Sequence, residues 1–153
     1  MISNLALATA MVCATVGVHF GGLLILMRIL RFRGHRFRAQ ESVVGQGALI
    51  VSVVLGIVAI HTVEIWLYAL VYLAIGALGD FETALYFSTV TFASLGYGDS
   101  LLDVKWRLVG AIESMNGLIL IAWSTAFLFS VTARLRSMEH DWLERSRETP
   151  DPP

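Results

Sequence analysis

The residues from Thr91 to Asp99 read Thr-Phe-Ala-Ser-Leu-Gly-Tyr-Gly-Asp and lie between two long apolar segments. They hold hydroxyls, a Gly-Tyr-Gly triplet and a terminal carboxylate, which a lipid-facing helix does not keep, so the stretch is built to expose backbone. Glycine tolerates positive φ without a Cβ penalty, and Gly96 and Gly98 stand where a chain turning successive carbonyls toward one axis needs it. Other chemistry-bearing groups are few. His61 and Glu64 are three apart in an apolar stretch, hence on one helical face, and Glu113 and Asn116 share the same spacing. An ionisable group at membrane depth is expensive and must be paired, neutral, or turned toward protein or water. The plain reading of His61 with Glu64 is a hydrogen-bonded pair that fixes helix packing. The alternative is a proton switch, since imidazole titrates near physiological pH.

The elements that must position these groups are apolar helices. The 153 residues are 56% hydrophobic with a mean hydropathy of +0.70, and the charges gather at segment ends, which places the chain among membrane proteins. The net charge of -1 implies neither nucleic acid nor an acidic ligand. Cys13 is the only cysteine, so there is no disulfide framework and no thiolate metal cluster.

Leu5 to Met27 is long enough to cross a bilayer, and its only titratable side chain other than Cys13 is His19. A cleaved leader wants positive charge before the apolar run, whereas here the arginines follow it. Arg28, Arg31, Arg33, His35, Arg36 and Arg38 form a short basic connection, which the positive-inside rule puts on the cytoplasmic side. One helix bearing Arg28 and Arg31 is not a voltage sensor, and these arginines sit where topology alone puts them, within reach of anionic lipid headgroups. Gly45 to Leu78 is the second apolar stretch, which Gly79 and Asp80 are expected to end. Phe81 to Ala93 has helical character but is too short to span, with Glu82 in its first turn, where the helix dipole favours a carboxylate. Leu108 to Ala133 is the third span, flanked by Trp106 and Arg107 on one side and Arg134 and Arg136 on the other. Three spans with arginines after the first and third give an N-terminus outside and a C-terminus in the cytoplasm. Residues 134–153 are expected to form a helical stub that frays into a disordered tail, too short for a regulatory domain.

Thr91, Ser94, Gly96, Tyr97, Gly98 and Asp99, following a short aromatic segment and preceding a span, resemble the selectivity filter of the potassium channel family. Ser94 and Leu95 stand where that family usually has Thr and Val, and Val90 where some members have a carboxylate that holds the filter aspartate. The resemblance covers roughly residues 81–134, with 45–78 fitting the outer helix by position and 1–38 standing outside the two-helix pore unit. It implies an all-α membrane protein: an N-terminal transmembrane helix and basic loop (1–44), a pore domain of outer helix, re-entrant pore helix, filter and inner helix (45–134), and a short cytoplasmic tail (135–153).

By the same resemblance the carbonyls of Ser94, Leu95, Gly96 and Tyr97, with Gly98 completing the filter, hold potassium, and the Ser94 hydroxyl completes the innermost ring. Leu95 and Tyr97 point away and brace the filter, Thr91 and Asp99 support its two ends, and Tyr86 and Phe87 form an aromatic collar. Gly117 falls near the inner-helix hinge, with close helix packing the alternative. From their cost at membrane depth and their place on the third span, Glu113 is expected to support the pore helix from behind and Thr125 to line the cavity below the filter. A single loop cannot surround an ion, so a homotetramer in the plasma (inner) membrane is implied, with potassium as cargo and no cofactor, small-molecule substrate or nucleic acid. One alternative is a non-conducting or weakly selective modulatory subunit. Another is a membrane enzyme, disfavoured because His61 and Glu64 supply two metal ligands at most, His19, His35 and His140 are expected at different depths, and no Ser or Cys has an evident base.

Overall fold

The computed structural model describes residues 2–36, 43–97 and 102–148. Among them the secondary structure is four α-helices: α1 (Ile2–Arg36), α2 (Val43–Ala74), α3 (Phe81–Phe92) and α4 (Arg107–Glu148). Three contain stretches long and apolar enough to cross a membrane, Ile2–Arg31, Val44–Ala74 and Arg107–Arg134. With about 1.5 Å of rise per residue, each exceeds a hydrocarbon core of about 30 Å. The 12-residue α3 does not reach across one.

The second helix ends earlier than Gly79 and Asp80. Gly76 adopts φ 66, its N–H donates to the Leu73 carbonyl at 3.1 Å, and the Ala77 N–H donates to the Tyr72 carbonyl at 2.9 Å. That is a Schellman stop, in which a glycine in the left-handed region lets two orphan carbonyls find donors. Asp80 instead begins the next helix. It is the N-cap of α3, with φ -146 and ψ 161. Its carboxylate accepts from the Thr83 N–H at 2.8 Å and from the Thr83 hydroxyl at 2.7 Å. The backbone N–H of Thr83, then its hydroxyl, stabilise the charged form and hold the Asp80 carboxyl below the ordinary aspartate value.

The fourth helix runs on through the stretch expected to be a helical stub, whose residues 134–148 contain neither glycine nor proline and are rich in Arg, Glu and Leu. The last residues, 149–153, and those of the basic connection from 37 to 42 lie outside the described residues.

α3 is wedged between α2 and α4, while α1 lies across α2 and α4. The core follows that wedge: Tyr68, Tyr72, Phe87, Phe92, Val109 and Leu120 are buried together. Tyr72 meets Phe87 edge to face, with ring centroids 5.2 Å apart. α1 is fastened to the rest by polar groups: the Asn4 side-chain amide donates to the Lys105 carbonyl, and that of Asn116 to the Thr15 hydroxyl at 2.7 Å. Val51, Leu55 and Val58 on α2, and Leu118 and Ile119 on α4, stay exposed in the single chain, the composition of surfaces that meet lipid or another subunit.

Candidate functional site

The C-terminal end of α3 opens directly into the Ser94–Tyr97 loop. The Leu95 N–H donates to the Val90 carbonyl at 2.8 Å and the Ser94 N–H to the Thr91 carbonyl at 2.9 Å. This repeats the helix stop of α2, except that the left-handed position is filled by Ser94, φ 56, where a Cβ is strained. Gly96 follows with φ 73, so the loop needs the freedom that glycine alone has there. Gly98 and Asp99, also expected in the site, lie outside the described residues.

The Ser94 hydroxyl faces α4, 3.0 Å from the Ser114 hydroxyl and 3.3 Å from the Ser114 carbonyl. This is the hydroxyl expected to complete an innermost ring of ion ligands, and within the single chain its partner is Ser114. Leu95 and Tyr97, expected to point away and brace the filter, are 57% and 77% exposed in the single chain. A cleft of about 740 Å³ beside the loop is lined by Phe87, Thr91, Ser94, Gly96, Arg107 and Ser114. Phe87 is buried against Tyr72, whereas Tyr86 on the adjoining face of α3 is exposed.

Behind the loop, α3 is held by two contacts with α4. Gly117 lies so close that a Cβ there would stand 2.2 Å from the Phe92 carbonyl oxygen. One turn earlier, the fully buried Glu113 accepts from the Ser88 hydroxyl at 2.6 Å and from the Tyr72 hydroxyl at 2.5 Å. Both carboxylate oxygens are thereby engaged, one from α3 and one from α2, which is the satisfied state a buried acid requires. Asn116 is buried on the same helix and donates to Thr15 on α1 and, at 3.2 Å, to Tyr68 on α2. Thr125 is exposed, and its hydroxyl donates to the Ile121 carbonyl at 2.9 Å.

The third constellation corrects the sequence reading. His61 Nδ1 lies 2.7 Å from Glu64 Oε2, as their spacing implies, but His19 Nδ1 lies 2.9 Å from the other carboxylate oxygen. His19 is therefore not at a different depth: it is fully buried between α1 and α2, and the pair is a triad. The Ser124 hydroxyl adds α4 to it, 3.0 Å from His61 Nε2. The available signal was the lone imidazole in the apolar first helix, which needs a buried partner wherever it faces protein. Its partner, 45 residues away, is not readable from periodicity.

A family described as "Ion channel" matches residues 50–134. No curated protein and no solved structure matches the chain. The matched residues take in most of α2, the whole of α3 and its loop, and the apolar part of α4, which is more than half of the 153 residues. With its three apolar spans and the short helix wedged between the last two, this chain belongs to the ion channel family.

Proposed function

We propose that this chain is one subunit of a homotetrameric, potassium-selective channel that passes the ion down its gradient. The observation that carries the reading is the loop at the end of α3: a Ser-Leu-Gly-Tyr-Gly stretch between two spans, entered with Gly96 in the left-handed region. The carbonyls of Ser94, Leu95, Gly96 and Tyr97, with Gly98 beyond them, would replace potassium's hydration shell, as the handful of donor rings in known filters does. α3 is the re-entrant pore helix in this reading. Its C-terminal dipole end favours a cation, and Asp99 and Asp103 add negative charge at the outer mouth.

A loop with Leu95 and Tyr97 exposed is unfinished at membrane depth, where irregular backbone survives only if buried in protein or lining water. Three further copies around one axis would supply that surround. Arginines after the first and third spans favour an N-terminus outside and a cytoplasmic C-terminus in the plasma (inner) membrane. Glu113, with Tyr72 and Ser88, holds the pore helix from behind, Gly117 permits close packing, and Asn116 registers α1 against the pore unit. Thr91 supports the filter from within α3. The engagement of the Ser94 hydroxyl by Ser114 favours a second reading, a non-conducting or weakly selective modulatory subunit, because that oxygen already has a partner within its own chain. Recordings from reconstituted protein with potassium on one side and sodium on the other separate the two. A reversal potential near that for potassium supports the first reading, and one near zero the second.

A further inference from the structure

We propose that His19, His61 and Glu64 form a binding site for a divalent first-row transition ion of the zinc class, enclosed where α1, α2 and α4 meet. The three residues offer two imidazole nitrogens and a carboxylate oxygen, all within 4.8 Å of one another. That donor set suits zinc, and its mixed nitrogen and oxygen character is wrong for calcium or magnesium, which take oxygen almost throughout. Donors around a tetrahedral zinc stand about 3.3 Å apart, given bond lengths near 2.0–2.2 Å. His19 Nδ1 and His61 Nδ1 lie 2.9 and 2.7 Å from different oxygens of the Glu64 carboxylate, and these separations must open by roughly 0.4–0.6 Å to seat an ion between them.

The surroundings can accommodate a ligand set. His61 presents Nδ1 to the carboxylate and Nε2 to the Ser124 hydroxyl at 3.0 Å. With Nε2–H donating to Ser124, Nδ1 has a lone pair free for an ion, whereas with the Ser124 hydroxyl donating to Nε2 the Nδ1–H serves the carboxylate. A bond from the outer ring nitrogen is also how ligating histidines are oriented. His19 Nε2, by contrast, is buried without a partner, so the placement of that ring is decided by what Nδ1 faces. The rings of Trp123, 5.2 Å from His19, and Phe92, 5.6 Å from His61, wall the cluster. His19 and Glu64 are fully buried, while the His61 side chain is 16% exposed and gives an ion its way in. A bound ion would clasp α1 to α2 beside Phe92, the last residue of α3. The site is independent of whether the loop conducts.

The test uses the full chain, purified in detergent, stripped with a chelator and titrated with Zn²⁺, with Co²⁺ as a spectroscopic probe. The expected result is one ion per chain, a higher melting temperature on zinc addition, and a ligand-field absorption band of four-coordinate Co²⁺. H19Q and E64Q should each weaken zinc binding by at least about 100-fold, and S124A by about 10–100-fold, as loss of an orienting partner does. C13S, which removes an exposed thiol, should bind as the wild type does. Size-exclusion elution establishes that each variant is folded, and if H19Q or E64Q is not, the wild-type cobalt spectrum and S124A decide. A folded wild type that takes up no zinc, shows no cobalt band, or binds equally well as E64Q overturns the proposal and leaves a triad joined by protons alone.

Discussion

Gly117 on α4 and the carbonyl of Phe92 on α3 meet with no room between them: a Cβ on that glycine would stand 2.2 Å from the oxygen. The obstacle is backbone at the end of α3, not a flexible side chain that swings aside. Substituting Gly117→Ala must therefore push α3 and α4 apart, and overpacking of a tight contact costs about 1–3 kcal/mol. G117A should lower the melting temperature of the purified protein, while G17A, whose Cβ meets nothing within 4 Å, should leave it nearly unchanged. A glycine kept only as a hinge predicts the reverse pattern for G117A, with normal melting and altered opening.

Glu113 engages α2 and α3 at once, through Tyr72 and Ser88. Removing one partner of a buried hydrogen bond to a carboxyl group costs about 1–3 kcal/mol, because the other is left unsatisfied. E113L should destabilise strongly. S88A and E113Q combined should be less harmful than the sum of the two single changes, since both act on one contact. Chemical unfolding of the four variants in detergent measures that coupling, and strictly additive losses would mean the network does not act as a unit.

Asp80 makes a prediction about acid. Its folded-state carboxyl lies below the ordinary value of 3.8, because charged Asp80 accepts the Thr83 N–H and hydroxyl. A group lowered in this way contributes its stability above 3.8, and that contribution is lost as pH falls through the lowered folded value. D80N keeps a capping oxygen at every pH, so its melting temperature should lose less between pH 5 and pH 3 than that of the wild type. Parallel pH profiles for the two would remove the cap from the account.

The parts of this molecule written in local pattern were legible beforehand. Three spans follow from uninterrupted apolar length, α3 from a short aromatic run, and the His61–Glu64 contact from a three-residue spacing. Ends set by backbone geometry were harder: Gly76 and Gly79 are both glycines after an apolar run, and only the hydrogen bonds to Tyr72 and Leu73 pick the first. Tertiary partners were hardest. His19 reaches Glu64 across 45 positions and Ser94 reaches Ser114 across 20, neither at a helical repeat. What joins such residues is the packing of α1 and α4 on the other helices, which no periodicity along one chain encodes.

Potassium flux through liposomes carrying the purified protein decides whether this chain forms a potassium-selective pore. The account predicts uptake of potassium in preference to sodium, block by barium, and loss of flux in G96A, where φ 73 disfavours a side chain, with the oligomer intact. A well-ordered wild-type oligomer that passes no potassium, or passes sodium equally well, would contradict it.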